Sequence, residues 1–312
     1  KAEHLLGFFV LISPLNKNKA MIRSMILLLS IPFVMQGQNS IKCTTSEINK
    51  KYFEEHPKDK LEREWLNEES RLAEFNKTAV STSITIPIVF HVNDPTNPQK
   101  VTLAQVQSAV DILNEDFNGL NPEFNSLRPE FQGIASNFEI NFCLASIDPD
   151  GNSTNGITYH YNSYNGREPN GSGGAVKGVS VWPCDKYLNV WIVNEVEDDG
   201  DLYYSGWAFY PSTSLADQGL DGIGYNHRYL GYGEGSSDVS GPTSWQAKMA
   251  RVLTHEVGHY LNLMHTFANY CTSPGDEVSD TPPVYHHGSN NCQQNWTLCS
   301  GVTIVNDENY MD

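Results

Sequence analysis

Two histidines four residues apart, with a glutamate beside the first, carry the strongest chemical signal in the sequence. His255 and His259 lie in the run HEVGH. On a helix this spacing places both imidazoles on one face, one turn apart, where they can bind one metal ion. Glu256 is offset around the same helix, so it can deprotonate a metal-bound water without being a ligand itself. The pattern predicts a catalytic zinc site with its own general base.

A third histidine completes the predicted metal site. His265 follows His259 by six residues, which is too far along one straight helix for both side chains to bind the same ion. Asn262 stands where the chain must turn back, and only glycine tolerates a left-handed backbone better than asparagine. Three neutral imidazoles and one water form the open tetrahedral site of a catalytic zinc. An H-E-x-x-H match also occurs by chance on exposed helices, but the third histidine favours zinc.

Hydrophobic periodicity places the elements that would carry this site. Apolar residues recur at helical spacing over about 245–261, and the preceding run offers Thr243 or Ser244 as an N-cap. A second amphipathic helix is predicted at 101–117, capped by Thr102. Alternating or continuous apolar runs predict strands at 84–92, 138–144 and 188–193. This order indicates an α/β layered domain with the zinc helix packed below the sheet.

Three further features bear on where substrates or ions would bind. His91 lies within the first predicted strand and is expected to be packed or hydrogen-bonded rather than catalytic. Residues 203–211 and 221–225 are expected to form a cleft edge, where an extended peptide could add as a strand. The acidic run at 197–201 is expected to be either a solvated loop or a calcium site.

Composition narrows the classes of partner. The 312 residues, 39% of them hydrophobic, suffice for one large core or two modest ones. The formal net charge of −17 argues against nucleic acid and anionic membrane surfaces as partners. The same negative charge would attract cationic substrates, and the carboxylates of the chain could bind calcium.

The N-terminal part of the chain is expected to lie outside the catalytic unit. Residues 1–20 precede Met21 and are expected to be an upstream segment foreign to the native product. Residues 21–37 have the basic start and short apolar stretch of a signal peptide, with an N-terminal anchor as the alternative. Residues 38–80 are highly charged and interrupted by Pro57, which predicts one or two solvent-facing helices with few core residues. We therefore expect a secreted protein without stable membrane association.

The run HEVGHYLNLMH at 255–265 resembles the long zinc signature of metzincins, with Asn262 in place of their usual glycine. Further runs resemble the pappalysin family and together span about 84–312; they lie at 86–92, 142–145, 148–151, 187–191, 265–267, 275–276, 280–282 and 309–312. The resemblance implies an α/β (α+β) metzincin-like zinc metalloprotease, with a twisted mixed sheet over an active-site helix and a loop-rich C-terminal subdomain. The catalytic domain would occupy 81–312.

The resemblance also implies roles for residues outside the zinc signature. Met311 would lie in the Met-turn, a soft packing floor beneath the imidazoles. Cys43 would be a zymogen switch that ligates the zinc, although threonine follows it where the family has glycine; the alternatives are an unpaired surface cysteine or a disulfide partner. Asp276 and Asp280 would bind calcium, and the alternative is an Asx-turn loop.

The remaining cysteines suit a loop-rich, exported segment. The resemblance implies a disulfide between Cys271 and Cys299, with Cys292 left for a partner beyond the C-terminal end of the chain. Cys143 and Cys184 could pair with each other or remain buried thiols.

These features predict a secreted zinc endopeptidase made as a zymogen, acting on protein or peptide substrates. A preference for arginine or lysine directly after the scissile bond (P1′) follows from the resemblance alone, because the family residues that select it lie after Asp312. The chain is accordingly expected to lack the end of the catalytic domain. The alternatives are a non-catalytic zinc-containing binding module and a zinc amidohydrolase of non-peptide substrates.

Overall fold

The computed structural model of the chain describes residues 42–75, 83–162, 174–196, 203–232, 250–272, 274–278, 281–284, 299 and 305–312. Several sequence expectations lie outside these ranges: the signal peptide, the acidic run at 197–201, the N-cap candidates Thr243 and Ser244, and the residues Asp280 and Cys292. Among the described residues, none of the helices combines the length and apolar character that crossing a lipid bilayer requires.

The described residues form both helices and strands, which are interspersed along the chain. The helices are α1 (Thr45–Glu55), α2 (Pro57–Phe75), α3 (Leu103–Phe117), α4 (Gly174–Val179), α5 (Thr213–Asp217) and α6 (Val252–Tyr260). The strands are β1 (Lys42–Cys43), β2 (Ile84–Asn93), β3 (Ile140–Leu144), β4 (Ile157–His160), β5 (Leu188–Val193), β6 (Tyr204–Ala208) and β7 (Ile223–Asn226). Short 3₁₀ turns lie at Pro98–Lys100, Pro122–Ser126 and His227–Tyr229.

The strands form one mixed sheet in the order β1-β6-β7-β5-β2-β3, and β4 also pairs with β2. β2 is parallel to β3, β4 and β5, and β5 is parallel to β7. β6 runs antiparallel to β7, and β1 pairs in parallel with the outer edge of β6. The mixed sheet expected from the resemblance is therefore confirmed.

Strand β5 explains how the sheet supports two cores. Its alternate side chains Leu188, Val190 and Ile192 pack with α3 and α6 on one face. Trp191 and Val193 belong to a second core on the other face. A parallel strand buried on both faces needs a continuous apolar run, which is the pattern that the sequence has there.

Two predicted element boundaries differ from the structure. The strand predicted from 138 begins only at Ile140, because Glu139 has a left-handed backbone (φ 52°) that cannot continue a strand. Helix α6 begins at Val252, and the described residues just before it form a turn instead of the predicted helix. The Arg251 carbonyl accepts the amides of both Thr254 and His255, which closes this turn tightly at the helix start.

The N-terminal segment, residues 42–75, only partly follows its prediction. Pro57 begins α2, whose Leu61 and Trp65 are exposed as expected for a solvent-facing helix. In α1, however, Ile48 and Tyr52 are buried in the second core. Their spacing of one helical turn places both on the face that packs against the sheet. The expectation of a solvent-facing helix is therefore wrong for α1.

His91 is buried and hydrogen-bonded, as expected: its ring nitrogens lie 2.7 Å from Thr158 Oγ1 and 3.0 Å from Asn189 Oδ1. Burial lowers the pKa of His91 to about 4. Cys143 and Cys184 are both free thiols, so they do not pair. Cys143 is exposed rather than buried, because it follows the inward-facing Phe142 on β3 and so faces outward.

The core contact of α6 gives a first testable prediction. Leu253 is almost fully buried among the side chains of the first core, so Leu253→Ala should lower the free energy of unfolding by about 2 to 5 kcal/mol. The matched control Leu120→Ala removes a side chain that is 71% exposed and should change it by less than about 0.5 kcal/mol. Urea unfolding measures both. Equal losses would contradict the placement of α6 against the sheet.

Candidate active site

Helix α6 ends in a left-handed turn that redirects the chain. Asn262 has φ 77°, its amide donates to the His259 carbonyl (2.9 Å), and the Leu263 amide donates to the Gly258 carbonyl (2.9 Å). This pair of bonds is the Schellman motif, which ends a helix at a residue with positive φ. The turn predicted at Asn262 is confirmed, and it brings His265 back toward the helix.

The ring nitrogens of the three histidines converge on one point. Nε2 of His259 lies 3.1 Å from Nε2 of His255 and 3.3 Å from Nε2 of His265. Imidazole nitrogens that bind one tetrahedral zinc at about 2.0 to 2.1 Å are about 3.3 Å apart. Together with Cys43 Sγ, these nitrogens all lie within 4.8 Å of one another. The spacing of the described ligand atoms therefore fits a single zinc ion.

The outer nitrogens of the same rings are held by other parts of the chain. His255 Nδ1 lies 2.6 Å from the Tyr310 carbonyl, and His259 Nδ1 lies 2.7 Å from the Leu263 carbonyl. A carbonyl accepts only from Nδ1–H, so both rings present an unprotonated Nε2. His265 Nδ1 lies 3.0 Å from the Ser46 hydroxyl of the N-terminal segment. Burial lowers the pKa of His255 and His259, which favours the neutral ligand form.

Glu256 is fully buried beside the histidines. Its carboxylate lies 3.5 Å from Cys43 Sγ, 3.5 Å from Thr45 Oγ1 and 3.4 Å from Ser205 Oγ. Burial raises the pKa of Glu256 to about 8, and these three donors act in the opposite direction. Such a carboxyl group can exchange a proton near neutral pH.

Strand β1 brings Cys43 into this cluster. The Lys42 amide donates to the Tyr203 carbonyl (2.9 Å), and the Thr44 amide donates to the Gly206 carbonyl (3.2 Å), so the chain lies along the β6 edge. Burial, and secondly the charge of Glu256, raise the pKa of the Cys43 thiol well above its usual value. The structure thus places Cys43 Sγ within 4.8 Å of the three histidine nitrogens.

Asp116 is a structural contributor that sequence reasoning missed. Its carboxylate accepts from Thr254 Oγ1 (2.6 Å) and from the Tyr310 hydroxyl (2.7 Å), and it pairs with Arg251. It therefore joins α3 both to the start of α6 and to the residue whose carbonyl holds His255. The sequence feature that could have revealed Asp116 is an acidic residue on the apolar face of the predicted 101–117 helix.

Met311 lies under α6, where a Cβ at Gly258 would overlap its sulfur atom. The Met311 carbonyl also accepts the Thr266 amide at 3.0 Å, next to His265. The described part of the C-terminal end thus packs directly beneath the histidine cluster.

The loop behind the histidine cluster contains a disulfide and an Asx turn. Cys271 and Cys299 are disulfide-bonded, with their Cα atoms 5.2 Å apart. Asp276 is buried, and its Oδ1 accepts the Val278 amide at 3.1 Å. This contact is the Asx-turn arrangement that was the alternative to calcium binding.

The fold and the site resemble those of metzincin-type metallopeptidases, and comparisons with known proteins agree. A family model described as Pregnancy-associated plasma protein-A, peptidase family M43, matches residues 176–312. Mature mirolysin of Tannerella forsythia, solved with a cleaved peptide, is 30% identical, with 74% of this chain and 84% of that chain covered and a TM-score of 0.59. A mutant of promirolysin from the same organism is 28% identical, with 87% and 86% covered and a TM-score of 0.65. The chain belongs to the pappalysin family of metallopeptidases.

Curated relatives carry consistent names. An extracellular metalloprotease of Arthroderma gypseum is 26% identical over 250 residues, 78% of this chain and 70% of the relative. Extracellular metalloprotease 1 of Coccidioides posadasii is 40% identical over 77 residues, 25% of this chain. The chain spans about 28% of the length of the first curated relatives that it matches.

The contacts of Asp116 give a second prediction. Asp116→Asn should weaken zinc binding by about tenfold or more, because one amide oxygen would have to serve both Thr254 and Tyr310, whose carbonyl orients His255. Asp111→Asn makes the same change on the exposed face of the same helix and should leave the affinity unaltered. Competition with a chromophoric chelator measures both affinities. Equal affinities of the two variants would show that Asp116 does not position the site.

Proposed function

We propose that this chain is a secreted zinc endopeptidase that is made as a latent precursor. The observation that carries the proposal is the convergence of three Nε2 atoms, 3.1 and 3.3 Å apart, beside the buried carboxylate of Glu256. His255, His259 and His265 would hold the zinc. The relatives named extracellular metalloprotease support secretion, and the bound cleaved peptide of mature mirolysin supports peptide substrates.

Glu256 is the residue that we assign as general base. Bound zinc supplies a Lewis acid that acidifies water and polarises a carbonyl group. Glu256 would take a proton from the attacking water and deliver it to the leaving amine. Its position supports this role, because the carboxylate lies beside the three converging imidazoles and 3.5 Å from Cys43 Sγ, which stands where the water would bind. Ser205 Oγ, on the neighbouring strand β6, would keep the carboxylate oriented.

The latent form would be maintained by the N-terminal segment. Cys43 Sγ stands among the three imidazoles, where a thiolate would fill the position that the water needs. The same segment provides strand β1, which covers the β6 edge available to an extended peptide. Mature mirolysin aligns with 74% of this chain, whereas the promirolysin mutant aligns with 87% of it. We therefore assign 38–80 as prosegment and 81–312 as catalytic domain.

Three further parts of the proposal rest on the family likeness. Residues 21–37 would be the signal peptide that directs export. Asp276 and Asp280 would contribute to a calcium site. Substrates would carry arginine or lysine at P1′, which suits the net charge of −17.

The role of Glu256 gives a third prediction. Glu256→Ala should keep one zinc per chain but lower kcat/KM by about 10² to 10⁴, the usual contribution of general acid–base catalysis. Both proteins are activated identically with an unrelated protease and tested on a quenched peptide, with zinc measured by mass spectrometry. The control Glu130→Ala removes an exposed carboxylate and should retain full activity. Unchanged turnover in Glu256→Ala would remove Glu256 from the mechanism.

The role of Cys43 gives a fourth prediction. Before any activating cleavage, Cys43→Ala should hydrolyse the quenched peptide on the order of tenfold faster than the unaltered chain, because more of the protein has an open zinc position. Cys143→Ala removes an exposed free thiol and should stay as latent as the unaltered chain. If Cys43→Ala is equally latent, the packing of the N-terminal segment accounts for the latency and the thiol is not the switch.

A further inference from the structure

A cationic side chain of the N-terminal segment lies between an aromatic ring and an amide oxygen beside the histidine cluster. The guanidinium carbon of Arg63, on α2, lies 4.1 Å from the centroid of the Tyr210 ring. Its Nε also donates to Asn262 Oδ1 at 3.1 Å. The ring contact has the geometry of a cation–π interaction, and the amide oxygen adds a directed hydrogen bond. Arg63 thus links α2 to the strand edge and to the turn that ends α6.

Tyr210 is buried, and the N-terminal segment contacts it at several points. Its ring stacks with Phe53 at a centroid distance of 6.5 Å and contacts Arg63. Its backbone amide donates to Asn49 Oδ1 at 2.9 Å. On the catalytic side, its ring lies edge-on to His259, with centroids 6.0 Å apart. Departure of the N-terminal segment would therefore uncover a tyrosine face directly beside a proposed zinc ligand.

A second residue of α2 contacts two further polar groups of the catalytic part. Asn67, one turn after Arg63 on α2, donates to the Glu277 carboxylate, and its Oδ1 accepts from Asn262 Nδ2 at 2.6 Å. Asn262 and Glu277 both have left-handed backbones, with φ of 77° and 69°, and both are half-buried. When α2 leaves, an aromatic face, an amide oxygen and a carboxylate would all lose their partners at the same place.

This combination of groups matches the chemistry of a guanidinium. Aromatic faces attract a weakly hydrated planar cation, and carboxylate and amide oxygens accept its N–H groups. The strand edge leads there from the zinc position: Cys43 pairs with Gly206, and Tyr210 follows four residues later, about 13 Å along an extended chain. A peptide on that edge would pass the Tyr210 ring close to the zinc position, since this ring lies 6.0 Å from that of His259.

We propose that Tyr210, Asn262 and Glu277 form a substrate subsite for an arginine side chain. In the latent chain Arg63 contacts Tyr210 and Asn262, and Asn67 holds Glu277. We call Tyr210, Asn262 and Glu277 the guanidinium subsite. It rests on the proposed peptidase function and is separate from the expected P1′ preference, because it lies along β6 rather than directly after the scissile bond. Arg63 would then compete with substrate for the subsite until the N-terminal segment is removed.

Ligand binding to the full chain tests the subsite without any turnover. N-acetyl-arginine methylamide is titrated into Arg63→Ala, with N-acetyl-citrulline methylamide as the uncharged ligand of nearly equal shape. The arginine ligand should bind Arg63→Ala at least about tenfold more tightly than it binds the unaltered chain. It should also bind Arg63→Ala about tenfold more tightly than the citrulline ligand does. Lys60→Ala, an exposed change on the same helix, should bind like the unaltered chain.

Two further variants guard against misfolding of Arg63→Ala and test the Glu277 carboxylate. Arg63→Gln serves if Arg63→Ala does not fold, as judged by circular dichroism. Adding Glu277→Gln to either should lower the arginine affinity by about fivefold or more, because the carboxylate is lost while the side-chain shape is kept. Equal binding of the arginine and citrulline ligands to a folded Arg63 variant would overturn the proposal and leave Arg63 as an autoinhibitory contact only.

Cleavage by the activated chain tests the substrate role. Peptides that all carry arginine at P1′ receive arginine or citrulline at one other position at a time, on either side of the scissile bond. Arginine should raise kcat/KM about tenfold at one such position, and Glu277→Gln should remove most of that gain while citrulline peptides are cleaved as before. Cleavage without any such preference would overturn the subsite. No cleavage of any peptide, with arginine binding intact, would instead count against the peptidase function.

Discussion

Helix α6 must end within the six residues between His259 and His265, because no straight helix lets both side chains reach one ion. The left-handed backbone of Asn262 meets this constraint, and much of the site is arranged around it. The reversed chain offers the Leu263 carbonyl to His259 and returns His265 to the cluster. Asp116 then fixes the other end of α6 to α3, so the two ends of the helix are held independently.

The N-terminal segment engages the same groups that catalysis would need. Cys43 Sγ lies beside the three imidazoles, Thr45 and Cys43 approach Glu256, and Ser46 contacts the outer nitrogen of His265. Helix α1 is bound tightly, since Ile48 and Tyr52 belong to a core that includes Trp207 of β6. Latency would therefore depend on buried apolar area as well as on a metal–thiol bond, so loss of the thiol alone need not release the segment.

The sequence predicts those features that depend on residues close together along the chain. The histidine spacing, the turn at Asn262 and the helix capped by Thr102 are all local, and the structure has each of them. Strand β1 could not be predicted, because two residues carry no period and their partner β6 lies far along the chain. Asp116 and Arg63 were missed for a related reason: a charged residue on a helix reveals its partner only once distant elements have packed. The left-handed Glu139 shortened a strand that alternation alone would extend.

The most direct test of the central claim, one zinc held by three histidines and closed by Cys43 in the latent chain, is X-ray absorption at the zinc edge. The full chain loaded with one equivalent of zinc should show three nitrogen ligands at about 2.0 to 2.1 Å and one sulfur at about 2.3 Å. After activating cleavage, the sulfur should be replaced by oxygen while the three nitrogens remain. A latent-state spectrum without sulfur would contradict the role of Cys43. Fewer than three imidazole ligands in either state would contradict the zinc site itself.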